Sequence, residues 1–219
     1  MKLTKLKTKN IARHFIYYDE IDSTQSEIWR LIEENKIVNG TMVACDIQTA
    51  GKGTHGRNWV TDEQGNIAFS LYIETNCQVE KLNGLTLDIA KILVEILKPD
   101  YNINVEIKEP NDLIINRKKI GGILTESKIL GENVKFLVIG IGINTIKMNF
   151  EKELEDIATS IKREYHVEVD REELITKFCN ELEKNIDRRI GGWKLHFYFL
   201  AKEHKQLVWE KIYMKNMMK

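Results

Sequence analysis

Residues 48–59, QTAGKGTHGRNW, gather three glycines, two cations and a histidine in one short run that ends in tryptophan. Glycines let backbone N–H groups approach an anion closely, and Lys52 and Arg57 add charge, so the run has the makings of an anion cradle. Trp59 adds a flat apolar surface on which a base could stack. A glycine-rich surface turn leading into a core tryptophan would read the same way. Further on, KEPND (108–112) places Lys108 at the end of an apolar strand. Pro110 biases Glu109 toward an extended conformation, and Asn111-Asp112 favours a turn. An ordinary solvated lysine at a hairpin is the alternative. In GIGIN (140–144), two glycines would let a ligand pass close to a strand, with the Asn144 amide placed to read an adenine edge.

Two familiar phosphate motifs fit these runs poorly. Gly51 to Asn58 nearly matches a Walker A loop, but Arg57 stands where the lysine belongs and Asn58 replaces the magnesium-binding Ser/Thr. The following WVTDEQGN breaks toward a turn and a strand, where a P-loop needs a helix. GIGIN lacks the third glycine of a dinucleotide fingerprint, since Thr145 falls there, and no helix-opening pattern follows.

The elements that must position these residues alternate in type. HFIYYDEI (14–21) reads as a strand, followed by a helix on which Ile28, Leu31 and Ile32 share a face and Thr24 and Glu27 have capping-box spacing. Ser23 and Thr24 thus sit at a strand-to-helix junction, where hydroxyls and free N–H groups collect. TMVACDIQ (41–48) reads as the strand that leads into the glycine loop, and Ile67, Phe69, Leu71 and Ile73 alternate as on a half-buried strand. Residues 81–97 carry a helical apolar stripe that Pro99 should end. NVEIKEP, KIGGILTESKIL and VKFLVIGIGINT follow with short polar connections, as antiparallel hairpins require. Two helices, 151–165 and 171–189, close the pattern, the second opened by Asp170 with Glu173 as a capping box. The order predicts an α+β fold, a mixed but largely antiparallel sheet with flanking helices.

Bulk composition narrows the setting. A chain of 219 residues makes one large domain with at most a small appendage. Lys+Arg and Asp+Glu both number 33, which argues against DNA as a partner, since a polyanion usually demands a basic face. The N-terminal lysines (Lys2, Lys5, Lys7, Lys9) read as a solvated face. Cys45, Cys77 and Cys179 are scattered and odd in number, as for reduced core thiols of a cytoplasmic protein. No apolar run approaches the ~20 residues that span a membrane, and MKLTKLKTKN lacks the apolar stretch of a signal peptide.

Taken together, the pieces resemble the catalytic domain of biotin protein ligases, also called biotin–acetyl-CoA-carboxylase ligases. The family's motifs occur in order: D-S-T-N/Q at Asp22 to Gln25, Q-T-A-G-R/K-G-x-x-G-R-x-W at Gln48 to Trp59, and K-W-P-N-D at Lys108 to Asp112. K-I/V/L-A/G-G-I-L-x-E follows at Lys119 to Glu126 and G-x-G-I/L-N at Gly140 to Asn144, while ATSI (158–161) is similar to the family's A-T-S-L helix. The resemblance covers about residues 14 to 190. It implies a fold like the catalytic core of class II aminoacyl-tRNA synthetases, with domain bounds of 1–190 for the catalytic domain and 191–219 for a C-terminal helical segment and the stub of a small C-terminal domain.

By the same resemblance, Ser23, Thr24 and Gln48 would hydrogen-bond the biotin ureido ring, with Gly51, Gly122, Gly140 and Gly142 walling the pocket. Lys52 would close over the carboxylate and α-phosphate, and Lys108 would bridge the two as the principal catalytic cation. Gly53, Thr54, His55, Gly56, Arg57, Trp59, Asn111 and Asn144 would contact the nucleotide; no residue is assigned as a metal ligand. Biotin and ATP with Mg²⁺ would give biotinoyl-5′-adenylate, and a lysine of a biotin carboxyl carrier protein domain would receive the biotinyl group. A homodimer like the family's would form through an exposed sheet edge, since an uncovered strand invites pairing. Departures stand at Lys52 and Thr54, where most relatives carry arginine, and at Glu109, where they carry tryptophan. Only about a dozen residues precede the first strand, so the winged helix of repressor-type relatives is not expected. The rivals are a lipoate or octanoate ligase or transferase of the same fold and a non-catalytic biotinyl-adenylate-binding protein.

Overall fold

The structure, a computed structural model, describes residues 1–62 and 64–190. The expected C-terminal stub, 191–219, lies outside the described residues. Strand β1 (Phe15–Ile21) leads through helix α1 (Thr24–Glu33) into β2 (Met42–Lys52), which pairs with β1 in parallel. Then come β3 (Asn58–Thr61), β4 (Ile67–Gln78), helix α2 (Leu85–Tyr101), β5 (Glu106–Lys108), β6 (Asp112–Ile115), β7 (Lys118–Leu130) and β8 (Asn133–Ile143). Helices α3 (Ile161–Tyr165) and α4 (Arg171–Ile190) follow. Among the described residues the strands form one sheet in the order β1-β2-β4-β8-β7-β6-β5, with β3 hairpinned onto β2. Every pairing but β1–β2 is antiparallel. The expected α+β class is the observed one. No helix among the described residues is long and apolar enough to cross a membrane.

The sheet divides its side chains by parity, as a pleat must. Met42, Ala44, Phe69, Leu71, Ile73, Leu137, Ile139 and Ile141 face the main core, built with α2 and α4; Phe69 meets Phe178 with ring centroids 5.7 Å apart. Val43, Tyr72 and Val138 face the other way, under Ile28 of α1, and Phe136 stacks edge-on to Trp29 at 5.5 Å. Strand β4 is therefore buried on both faces along Ile67–Ile73, not half-buried as its alternation predicts. On the α1 face β8 runs Phe136, Val138, Gly140, Gly142, and register sets Gly122 beside Gly142 and Ser70 beside Gly140. Large residues thus give way to small ones along one face, and the hollow left there is the site.

Three other expectations shift. Ser23, not Thr24, caps α1, its hydroxyl accepting from the Ser26 N–H. Helix α2 runs through Pro99 to Tyr101, because the proline falls in the last turn, and Asn102 at φ 54° closes it with its N–H on the Leu97 carbonyl. The stretch from 151 to 160 is turns, so only Ile161–Tyr165 of the expected first C-terminal helix is helical. Extended pairing replaces the ATSI helix: Lys119 N–H donates to the Ile157 carbonyl at 2.8 Å, and Thr159 N–H to the Lys119 carbonyl at 2.9 Å.

Candidate active site

The junction between β1 and α1 delivers Ser23, Thr24 and Gln25 to the hollow, all buried. Gln48, on β2, turns its amide toward them: Thr24 N–H donates to Gln48 Oε1 at 2.9 Å, and Gln48 Nε2 donates to the Thr61 hydroxyl at 3.2 Å. Ser70 of β4 lies below, its hydroxyl 2.9 Å from that of Thr24. These groups form the polar head of a first cavity of about 40 Å³, which Gly122, Gly140, Gly142, Asn111, Lys52, Lys119 and Trp59 also line.

The glycine run is a hairpin. Strand β2 continues through it to Lys52, and β3 returns alongside with Gly51 opposite Trp59 and Lys52 opposite Asn58. His55 (φ 57°) and Gly56 (φ 71°) make the reversal. The hairpin lays the Trp59 indole on Gly142, where any Cβ would overlap the ring, so the glycine makes room for a tryptophan rather than for a ligand alone. Lys119 Nζ stands 5.6 Å from the centroid of that ring, a cation–π contact.

Lys108 does not reach this place. It is exposed on β5, the last strand of the sheet, and lines neither this cavity nor the adjoining one. Lys119 takes the position expected for it and lines both. The cause is a bulge in β7: Leu113 pairs with Gly121 but Ile114 with Lys119, leaving Ile120 extra. In a regular strand residues three apart point to opposite faces; the extra residue brings Lys119 and Gly122 to the same one. Asp112 Oδ1 lies 2.6 Å from Lys119 Nζ, an ion pair that holds the ammonium beside the cavities.

A second cavity of about 180 Å³ adjoins the first and shares Gly53, Thr54, Trp59 and Lys119 with it. Its other walls include Arg57, Asn144, Lys147, Phe150 and Ala158. Asn144 is fixed by its N–H on the Ile120 carbonyl at 2.7 Å and its Nδ2 on the Thr159 carbonyl at 3.2 Å. Buried Lys147 is ion-paired with Asp62 and stands 5.5 Å from the Phe150 ring, with the Arg163 guanidinium 5.8 Å from the same ring. The Arg57 guanidinium folds back to donate to the Thr54 hydroxyl at 3.0 Å, so a cation is held at position 54 although threonine supplies none itself.

Outside the cavities, Asp22 accepts both guanidinium nitrogens of Arg30, at 2.7 and 2.8 Å, and this pairing holds its carboxyl down to about 2 against the opposing effect of burial. Its Oδ1 also accepts the Ser23 N–H at 2.7 Å, which fixes the approach to α1.

A model of the biotin/lipoate A/B protein ligase family matches residues 17–144, the span from β1 to the end of β8 that carries every wall of the first cavity. The chain belongs to this family. Among curated members it is similar to the bifunctional ligase/repressor BirA of Bacillus spizizenii, 39% identical over 168 residues that cover 76% of this chain and 51% of that one. The chain spans about half the length of the curated relatives it matches. Family structures of the same fold include biotin protein ligase from Aquifex aeolicus in complex with biotin and ATP, with a TM-score of 0.66 and 28% identity over 82% of this chain and 72% of that one. Another is biotin protein ligase from Leishmania major in complex with biotinyl-5-AMP, with a TM-score of 0.62 and 26% identity over 89% of this chain and 81% of that one.

Of the residues that resemblance to this family singles out, Ser23, Thr24, Gln48, Lys52, Gly53, Thr54, Trp59, Asn111, Gly122, Gly140 and Gly142 converge on the first cavity, and Arg57 and Asn144 on the second. Gly51 is buried behind the hairpin, while His55 and Gly56 are exposed at its tip. Sequence reasoning missed Lys119, Gln25, Ser70, Lys147 and Phe150. Lys119 and Gln25 stood inside quoted motifs without a role, and no motif marked the other three.

Proposed function

We propose that this chain is an ATP-dependent ligase that activates biotin as biotinoyl-5′-AMP and transfers it to a lysine of a biotin carboxyl carrier protein domain. The observation that carries this reading is the pair of adjoining cavities with Gly53, Thr54, Trp59 and Lys119 as their common wall. One offers a hydroxyl- and amide-lined head, the other an aromatic ring among cations, and a cationic, glycine-bordered wall lies where an acyl phosphate would form. The ligands named with the Aquifex and Leishmania structures, biotin with ATP and biotinyl-5-AMP, support the same arrangement.

In this reading the ring of biotin binds at Ser23, Thr24 and Gln48, and its carboxylate comes to Lys119 and Lys52. ATP occupies the larger cavity, its base near Trp59, Asn144 and Phe150. The carboxylate oxygen attacks the α-phosphorus, forming an O–P bond as the bond to the β-phosphate oxygen breaks and pyrophosphate leaves. The amine of a carrier lysine then attacks the acyl carbon, forming an amide and releasing AMP and a proton. A carboxylate is already nucleophilic, so the first step needs positioning and charge neutralisation more than a base. One cation at ~4 Å from the developing charge is worth about 4 kcal/mol at an effective dielectric of 20. Among the described residues no group of three His, Cys, Asp or Glu side chains is placed to hold a metal ion; magnesium enters as part of the MgATP substrate, carried on its phosphates. In this reading the hairpin that lays the Trp59 indole on Gly142 opens to admit biotin.

The test is ATP–pyrophosphate exchange with purified protein. Exchange that requires biotin is expected; exchange supported by lipoate and not by biotin would move the chain to the lipoate branch, and no exchange with either would end the ligase reading.

A further inference from the structure

The polar head of the first cavity continues into a chain of hydrogen bonds that leaves the cavity and ends on a carboxylate. Gln25 Nε2 donates to Glu126 Oε2 at 2.8 Å and to the Val138 carbonyl at 3.4 Å. The Trp29 indole N–H donates to the same Glu126 oxygen at 2.7 Å. A carboxylate and a carbonyl only accept, so the Gln25 amide has one orientation available, with its Oε1 turned toward β4. There the Ser70 hydroxyl donates to Oε1 at 2.9 Å. Having given up its only proton, Ser70 can only accept from Thr24, 2.9 Å away. Thr24 has one proton for two acceptors, Ser70 at 2.9 Å and Gln48 Oε1 at 3.2 Å, and the shorter contact, whose other partner has no proton left to give, takes it.

The far end of the chain is therefore polarised. Gln48 Oε1 is fixed as an acceptor by the Thr24 N–H at 2.9 Å, and it lies 3.2 Å from Thr24 Oγ1. With the Thr24 proton directed to Ser70, two acceptor oxygens stand side by side at the cavity head. A bound N–H lying between them satisfies both. A dithiolane or alkyl head brings no donor, so it leaves the Thr24 hydroxyl oxygen desolvated with nothing to accept from and Gln48 Oε1 with the Thr24 N–H alone. Thr24, Gln25 and Ser70 are all almost completely buried, so water does not readily substitute. Gln25 is held in place from above as well: a Cβ at Gly140 would lie 2.7 Å from its Oε1, so only glycine there leaves the amide its position.

We propose that Glu126, acting through Gln25 and Ser70, is a positioning residue that fixes the Thr24 hydroxyl as an acceptor, so that the cavity head selects a ligand carrying a ring N–H. The inference rests on the reading that biotin's ring binds at this head, and it assigns the choice of a cyclic urea over a dithiolane to three residues that need not touch the ligand.

Isothermal titration without ATP tests it, so that catalysis plays no part in the readout. The probes are biotin and its two cyclic-carbamate isosteres, in which one or the other ring N–H is replaced by oxygen at nearly constant shape. The wild type is expected to prefer biotin over the weaker-binding isostere by roughly 10- to 100-fold, the usual consequence of an unpaired buried acceptor. Glu126→Met frees the Gln25 amide to turn over, and Ser70→Ala frees the Thr24 proton; in both the preference should fall to a few-fold. Glu126→Gln, whose amide oxygen can still accept from Gln25 and Trp29, should keep it. A structural role alone would weaken all three ligands together and leave the ratio unchanged, and that outcome in folded Ser70→Ala overturns the inference even where Glu126→Met fails to fold. Absence of biotin binding in the wild type would instead overturn the functional reading on which it rests.

Discussion

Lys108 and Lys119 are the residues on which the chemistry divides. Both stand in motif-like runs, and both flank the β5–β6–β7 meander, yet one is exposed at the sheet's end and the other lines both cavities. Replacing Lys119 with alanine is expected to lower biotin-dependent pyrophosphate exchange by on the order of 10²–10³-fold, the usual effect of removing a group that stabilises transition-state charge. Lys108→Ala should leave exchange within about twofold of wild type, as for a surface substitution. Equal losses in the two variants would contradict the geometry. The choice between them was not legible in the sequence, because it turns on the bulge at Ile120, and a one-residue slip in register carries no compositional mark. Thr54 is the second case. Thr54 holds the Arg57 guanidinium by two hydrogen bonds, Nη2 to its hydroxyl at 3.0 Å and Nε to its carbonyl at 3.2 Å, which spends donors that an arginine at position 54 would aim directly at phosphate. Thr54→Arg should therefore slow release of the adenylate, measured by chase from preformed complex; an unchanged off-rate would mean that Arg57 already supplies the full contact.

At the scale of elements, the glycine hairpin is the part that must move. The β2–β3 ribbon carries Trp59 across Gly142, and a core-like packing contact thus sits where ligand has to enter. Biotin binding should change the intrinsic fluorescence of the protein, and Trp59→Phe should remove most of that change. Gly142→Ala inserts a methyl under the ring and pushes the hairpin away before ligand arrives. Overpacking of this kind costs about 1–3 kcal/mol, so a lowered melting temperature is expected together with a fluorescence spectrum shifted toward that of the biotin complex. A spectrum identical to unliganded wild type would show that Trp59 does not rest on Gly142. The strands and the hairpin connections were readable because alternation and turn residues report directly on them: Asn116 and Arg117, both at positive φ, close β6 onto β7 as a polar pair. The segment 151–160 misled because its acidic, amphipathic look fits a helix, whereas its backbone is taken up by pairing beside Lys119, a tertiary demand outside any local window.

For the molecule as a whole, what matters is that the layer on one face is tied to the sheet in two ways: α2 and α4 by a large apolar core, and α4 a second time by a buried ionic link. Asp46 of β2 is 4% exposed and ion-paired with Arg171 at the start of α4; Gln64 Nε2 donates to its Oδ2 at 2.7 Å, and Tyr17 joins through Arg171 at 3.4 Å. Burial pushes the Asp46 carboxyl up, but the Tyr17 hydroxyl and the Arg171 guanidinium outweigh it and hold the group below the ordinary carboxylate value. A group whose pKa is lower folded than unfolded adds stability that is fully present above its unfolded value, near 3.9 for aspartate, and is lost as pH falls through the folded one. Asp22 is depressed further, to about 2, but its side chain and that of Arg30 are each 44% exposed, so solvent screening leaves that pair with little weight. Acid unfolding should accordingly be governed more by Asp46. Arg171→Met leaves the carboxylate buried without its cation and should cost about 3–5 kcal/mol at pH 7. Because the variant also loses the depression, the gap between wild type and variant in urea unfolding should narrow steadily below about pH 5. A gap of constant size from pH 7 to pH 3 would place the stabilisation in the packing of the arginine stem rather than in its charge, and would remove the ionic link as the second attachment of α4 to the sheet that carries the site.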